Sequence, residues 1–193
     1  VNVRSLAYAV ATEQLAAESR SADARLVASG LWMHTIDVAS WSYAITRHLR
    51  IGDPDTALFA GMLSSIGQFY LLARATAHPA LEQDLNRLGE FISLWHEPVG
   101  RALLGALEVP KTVIDIFDDG NPYGGQWPPI ELRDVHFIAG LSAETPNPFL
   151  RFNSASKLAL LEATTQSVPE QELSALRADA RDSRNGLLSA LRG

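Results

Sequence analysis

The chain has 193 residues, a formal net charge of −6 and 47% hydrophobic residues, enough to build one substantial core. It contains no cysteine, which excludes disulfides and thiolate metal sites and is typical of a cytoplasmic protein. The acidic surplus, with no basic cluster, argues against a nucleic-acid partner, and no apolar run is long enough to predict a membrane span or a signal peptide.

The sequence predicts an all-α fold, because alanine and leucine dominate and no segment alternates with period two. The first elements are a weakly amphipathic helix over 3–18 and a long helix over 22–49. The long helix has two apolar stripes, so we expect neighbouring elements on both of its sides. One stripe holds Leu26, Val27, Gly30, Leu31, Val38, Trp41, Ile45 and Leu49, with His34 among them, and the other holds Trp32, Ile36, Ala39 and Tyr43.

The tripeptide Gly52-Asp53-Pro54 ends the long helix and starts the next one, with Asp53 as its N-cap. This next helix is apolar nearly all round through residue 72, so we expect it at the centre of the fold. Gly61 and Gly67 lie inside it, and each costs about 1 kcal/mol relative to alanine in a helix. Close approach of neighbouring backbones is the expected compensation.

The second half of the chain also predicts helices, separated by proline and glycine. A helix over 80–94 is followed by another that begins near His96, with Pro98 in its first turn. Ser167 and Glu170 form a capping box before the last helix. The other predicted elements are a short helix from Pro110 to Phe117, a loop over 118–129, helices over 130–143 and 154–166, and a final apolar stripe of Leu173, Leu176, Ala180, Leu187 and Leu191.

Four segments, in this order and spacing, resemble the HDOD domain, the HD-related output domain of bacterial signalling proteins. They are LWMHTIDVASWSYAI (31–45), DPDTALFAGMLSSIGQFYLL (53–72), WHEPVGRALLGALEVPKTVIDIF (95–117) and LRDVHFIAGLSAE (132–144). The resemblance implies a compact multi-helix bundle of the HD-domain type, related to the HD and HD-GYP metal-dependent phosphohydrolases. We expect residues 1–144 to form the HDOD-like domain, without the family's usual N-terminal part, and 145–193 to form a helical extension packed on it.

The resemblance also implies where the metal ligands of the HD superfamily would fall, and most of those positions hold the wrong residues. Serine hydroxyls are poor ligands for a divalent metal and glycine offers none. We therefore expect a vestigial site with no catalytic residue, no metal and no cofactor. In this vestigial site, His34 and His96 match two histidines of the superfamily, and Ser64 and Ser65 replace its His-Asp pair. Gln68 occupies the position of a lysine, Asp118 and Asp119 occupy those of a histidine pair, and Gly140 occupies that of the final aspartate.

Ordinary structural roles are the expected ones for the vestigial-site residues. His34 lies in an apolar stripe and His96 near a predicted helix start, where it can satisfy backbone N–H groups. Ser64 and Ser65 have no histidine or lysine at helical spacing to activate them. In the Gly- and Pro-rich loop, by contrast, Tyr123 and Trp127 would present aromatic rings to a partner.

The function that the resemblance implies is a non-catalytic regulatory output domain in bacterial signal transduction, often one part of a response regulator of a two-component system. Its expected partner is another protein, with homo-oligomers as an additional form. One alternative is a residual metal-dependent phosphohydrolase or phosphodiesterase that uses His34, His96, Asp118 and Asp119. A second alternative is a nucleotide-sensing pocket without turnover.

Overall fold

The computed structural model describes residues 21–117, 127–149 and 167–192, and within these ranges it contains helices and no strand. The predicted all-α fold is confirmed. The predicted helices over 3–18 and 154–166, and most of the loop over 118–129, lie outside the described residues. The described helices are α1 (Ala22–Leu49), α2 (Pro54–Leu63), α3 (Ile66–Ala75), α4 (Pro79–Glu82), α5 (Leu85–Ala106), α6 (Lys111–Ile114) followed by a 3-10 turn (Asp115–Phe117), α7 (Leu132–Ser142) and α8 (Glu170–Arg192).

Helix α1 is the central element, with the predicted limits, and α2, α7 and α8 all pack against it. Its N-cap is Ser21, whose side chain accepts a hydrogen bond from the backbone N–H of Ala24. The second predicted stripe lies in the hydrophobic cluster with α3 and α5, and Val38, Trp41, Ile45 and Leu49 of the first stripe lie in the cluster with α7 and α8. Val27 and Leu31, also predicted in the first stripe, pack instead in the cluster with α3 and α5. The assignment of Leu26 to a buried stripe is wrong, because its side chain is 74% exposed.

The segment after α1 begins as predicted but is not one continuous helix. Asp53 caps α2 by accepting a hydrogen bond of 2.8 Å from the backbone N–H of Thr56. The helix then ends at Leu63 and resumes as α3 at Ile66, so Ser64 and Ser65 form the turn between them. The expected close packing at the glycines is confirmed.

The two glycines meet neighbouring backbone directly. A Cβ on Gly61 would lie 2.4 Å from the Cα of Ala39 on α1. A Cβ on Gly67 would lie 2.0 Å from the carbonyl oxygen of His96 on α5. Any side chain at either position would force two helices apart.

One prediction about apolar segments needs correction. The stretch Pro54–Ala75 is long and apolar enough to cross a membrane by length and composition, with a mean hydropathy of 1.4. However, 67% of the 18-residue window with that hydropathy is buried inside the protein, as is usual for core helices. Its apolar character is therefore used in the core formed by α1, α3 and α5.

Helix α5 corrects the predicted break near His96. It runs without interruption from Leu85 to Ala106, with Pro98 in its interior. A proline there removes one backbone hydrogen bond and leaves the carbonyl of Leu94 without its helical partner. Both Pro98 and Leu94 are exposed, so water can hydrate that carbonyl and the helix continues.

The C-terminal helix α8 packs along α1. Its predicted stripe is confirmed, because Leu176, Ala180 and Leu187 are buried and Leu173 and Leu191 are partly buried against the same clusters. Between α7 and α8 the structure describes residues 143–149, and Phe149 is buried in the cluster that α1 shares with α3 and α5. The end of α7, this segment and α8 together line one side of α1.

Candidate functional site

His34 lies midway along α1 and is buried, 6% exposed. Its Nδ1 atom is 2.8 Å from the backbone carbonyl oxygen of Thr145. Since a carbonyl only accepts, Nδ1 carries the proton and Nε2 is the unprotonated nitrogen. Burial lowers the pKa of His34, against the smaller opposing effects of the Thr145 hydrogen bond and the charge of Asp37. His34 is therefore a neutral imidazole at pH 7.

Asp37 follows His34 by one helical turn and is held by two parts of the chain. Its Oδ2 atom accepts a hydrogen bond of 2.7 Å from the backbone N–H of Thr145. Its Oδ1 atom lies 2.6 Å from Nε of Arg184 on α8. The angles there are outside the hydrogen-bond range, so the contact is an ion pair without a directed hydrogen bond. Thr145 thus binds both polar side chains of this turn.

Gln68 on α3 is bound by the same C-terminal segment. Its Oε1 atom accepts a hydrogen bond of 3.2 Å from Nδ2 of Asn147. The Oδ1 atom of Asn147 in turn accepts one of 2.9 Å from the backbone N–H of Phe149. Residues 145–149 therefore connect α1 to α3 across the vestigial site, and we call them the bridging segment.

Helix α7 contributes a second histidine that the sequence did not reveal as a site residue. The Nδ1 atom of His136 is buried and has no hydrogen-bond partner, and its ring meets that of Phe117 edge-on at 5.1 Å. Burial lowers the pKa of His136 to about 4, with a smaller contribution from repulsion by His34 in its protonated form. One turn earlier, Arg133 has a buried Nε without a partner, while its Nη2 lies 3.4 Å from Oε1 of Glu131.

The other vestigial-site positions offer few donors. Ser65 is buried, and the hydroxyl of Ser64 is buried without a hydrogen-bond partner. His96 is partly buried on α5, on the turn whose carbonyl touches Gly67. A Cβ on Gly140 would meet nothing within 4 Å, so no neighbouring atom fills the place of the missing side chain.

The predicted partner loop is only partly described. Trp127 is half-buried against the cluster of α1, α7 and α8, and its Nε1 donates a hydrogen bond of 3.2 Å to Oε2 of Glu172. It anchors the loop to α8, and its role in binding a partner stays a prediction. Asp118, Asp119 and Tyr123 lie outside the described residues.

The donors within the described part of the chain do not fit the multi-ligand metal centre of an HD hydrolase. His34 and His136 are neutral imidazoles, the form that metals bind. The nearest carboxylate, Asp37, is already engaged by Arg184 and Thr145. Over residues 21–117, 127–149 and 167–192, no three His, Asp or Glu side chains form a group that could hold a metal ion.

The family follows from a match to the whole N-terminal part of the chain. The model of the HDOD domain matches residues 1–119. The chain belongs to the HDOD domain family. The predicted resemblance is thereby confirmed, although the matched range ends before the segment 132–144, whose resemblance to the family stays a prediction. No curated protein matches the chain.

A solved structure shows the same fold for nearly the whole HDOD chain. The crystal structure of a Shewanella amazonensis SB2B protein, provisionally named a metal-dependent phosphohydrolase, is similar with a TM-score of 0.70 and 21% identity. The match covers 93% of this chain and 66% of that chain, so this chain spans slightly less than two thirds of that protein. The predicted helical bundle of the HD type is confirmed.

Proposed function

We propose that this chain is a non-catalytic regulatory domain of bacterial signal transduction, located in the cytoplasm and acting on a protein partner. The observation that carries the proposal is the use of the buried polar side chains in and beside the vestigial site. Thr145 binds His34 and Asp37, Asn147 binds Gln68, and Arg184 pairs with Asp37. The polar residues of the old centre therefore hold the chain's own C-terminal part in place.

The chemistry of the site also argues against hydrolysis. A phosphohydrolase needs a nucleophilic hydroxide, which HD enzymes generate on a metal. Without that metal, a general base would have to activate water, and its ideal pKa lies near the working pH. Burial holds the pKa of His136 at about 4, so it is a weak base, and Ser64 has no base as a hydrogen-bond partner.

The test is elemental metal analysis of the purified chain before and after incubation with Mn²⁺ or Fe²⁺, followed by assays with a phosphodiester substrate. We expect metal well below one equivalent, no gain on incubation and no hydrolysis above buffer. The variant His34→Ala should not differ from the native chain in either measurement, with the exposed His78→Ala as its control. A stoichiometric metal that His34→Ala loses and His78→Ala retains would refute the proposal.

One observation favours a second candidate, a residual metal-dependent phosphohydrolase. A histidine that donates a hydrogen bond from Nδ1–H to a backbone carbonyl leaves the lone pair of Nε2 available to a metal ion, and this is the usual arrangement of metal-binding histidines. His34 has that arrangement through Thr145. The same metal analysis separates the two candidates, because only the second predicts metal that depends on His34.

A further inference from the structure

Helix α5 exposes an apolar stripe on the side opposite its contact with α3. Phe91 is 39% exposed, Leu94 70% and Trp95 47%. Pro98, Ala102 and Ala106 continue the stripe at helical spacing and are also exposed. These six residues, which we call the α5 stripe, extend over about 22 Å at 1.5 Å per residue. Bulky exposed side chains in a row of this length are typical of an interaction surface.

The order of sizes along the α5 stripe makes it complementary to itself. The N-terminal half carries Phe91, Leu94 and Trp95, while the C-terminal half carries only Ala102 and Ala106, with the exposed Gly105 beside them. In an antiparallel pair with a two-fold axis at Pro98, Leu94 lies level with Ala102 of the second copy. Phe91 lies level with Gly105 in the same way. Phe91 and Leu94 then pack over small residues at both ends, while Trp95 lies level with Arg101 of the second copy, and the same contacts repeat about the two-fold axis of an isologous interface.

The charges beside the stripe agree with the same arrangement. Glu97 and Arg101 border one flank, and a two-fold axis across antiparallel helices brings that flank against itself. Each Arg101 then lies about 3 Å along the axis from Glu97 of the second copy, since each residue advances the helix by about 1.5 Å. The two Glu97 residues are equally close along the axis, so two opposite-charge pairs stand against one like-charge pair. Opposite charges therefore meet at the rim of the apolar contact, where they favour this orientation.

We propose that two copies of this chain pair through the α5 stripe, antiparallel and with Pro98 at the two-fold axis. A single helix per partner is smaller than a standard interface of about 800 Å² per partner, so the expected affinity is micromolar. This pairing does not depend on the absence of catalysis. A monomeric native chain would overturn it and leave the proposed function intact, whereas metal-dependent hydrolysis would overturn only the proposed function.

The first test measures mass against concentration by sedimentation equilibrium on the full chain. We expect the native chain to change from 21.0 kDa to twice that mass between about 1 and about 200 µM. Leu94→Glu should raise the dissociation constant at least tenfold. Leu26→Glu is the matched control, because Leu26 on α1 is equally exposed, at 74%, and should leave the dissociation constant unchanged. A native monomer throughout, or equal effects of the two variants, would overturn the pairing.

The second test determines whether the two α5 helices are antiparallel. Because the chain has no native cysteine, an introduced cysteine can form a disulfide only with the same residue of the second copy. Helix axes 8–10 Å apart bring the two Cα atoms at the axis position within about 3.4–5.4 Å, which overlaps the range for a disulfide. Pro98→Cys should therefore cross-link under mild oxidation, and Leu26→Cys should not. A mixture of L94E with A102K should pair more tightly than either variant alone. Failure of both the cross-link and the mixed pair would refute the antiparallel arrangement.

Discussion

The ion pair between Asp37 and Arg184 gives the sharpest test of how the C-terminal helix is held. Asp37 is 2% exposed and Arg184 is 27% exposed, with 2.6 Å between Oδ1 and Nε. At that distance the gross Coulomb attraction is about 6 kcal/mol for an effective dielectric constant of 20, before desolvation is subtracted. Arg184→Leu removes the cation and leaves the carboxylate buried, with only the Thr145 N–H as a partner.

Breaking a buried pair in this way costs about 3–5 kcal/mol. We take the lower end, about 3 kcal/mol, because the Thr145 hydrogen bond remains and Arg184 is partly solvated. With a urea dependence of about 2 kcal/mol per molar, the unfolding midpoint should fall by about 1.5 M. The measurement is equilibrium urea unfolding followed by circular dichroism, with the slope checked for constancy between variants.

A matched control lies on the same helix. Arg181 pairs with Glu144 at 2.9 Å, but the side chains are 65% and 45% exposed. Exposed pairs contribute about 0–1 kcal/mol, so Arg181→Leu should shift the midpoint by less than 0.5 M on the same approximate scale. If Arg184→Leu and Arg181→Leu lower the midpoint equally, the buried pair does not hold α8 against α1 as we infer.

Two further predictions concern stability. Gly67→Ala should destabilise the fold by more than about 2 kcal/mol in urea unfolding, because its Cβ would meet the carbonyl of His96 at 2.0 Å. Gly140→Ala, which has open space for its Cβ, should be neutral or stabilise the fold by up to about 1 kcal/mol. Equal effects of the two substitutions would contradict the close contact at Gly67. The pKa of His136 is lowered from 6.5 to about 4 in the folded chain, so between these pH values the unfolded chain binds a proton that the folded chain does not. The free energy of unfolding should therefore fall by about 3 kcal/mol as pH decreases from 6.5 to about 4. His136→Asn should flatten that pH dependence and the exposed His78→Asn should not; identical profiles for both variants would rule out a buried neutral His136.

Local signals in the sequence were sufficient for most helix limits but not for the turn at Ser64 and Ser65 or the continuity of α5 at Pro98. Asp53 and Pro54 mark a helix start because the Asp53 side chain accepts a hydrogen bond from the backbone of Thr56, only three residues later. Such a local interaction can be predicted from the sequence. The turn at Ser64 and Ser65 cannot be, because the apolar pattern continues across it while the tight contact of Gly67 with α5 is made by tertiary packing. The continuity of α5 at Pro98 is not predictable for a related reason, because it depends on whether water can reach the unpaired carbonyl of Leu94 in the folded protein.

The sequence predicts some residues of the candidate site but not the residues that bind them. His34 is conspicuous as a histidine within an apolar stripe, and Asp37 one turn later is a second polar residue on the same side of the helix. Their partners are Thr145 and Arg184, 111 residues from His34 and 147 from Asp37. Such pairings depend on how α8 and the bridging segment pack, and no periodicity within either segment specifies them.

The position of these partners explains how the fold tolerates a site that lacks most of its ligands. A buried imidazole and a buried carboxylate need hydrogen bonds or charge partners, because leaving either group unsatisfied costs about 1–3 kcal/mol or more. In an HD hydrolase a metal would meet that need. Here the family match ends at residue 119, and the contacts to His34, Asp37 and Gln68 all come from beyond it, from the bridging segment and α8. The C-terminal extension therefore supplies the polar partners of these buried side chains, and the pair of Asp37 with Arg184 fastens α8 to α1.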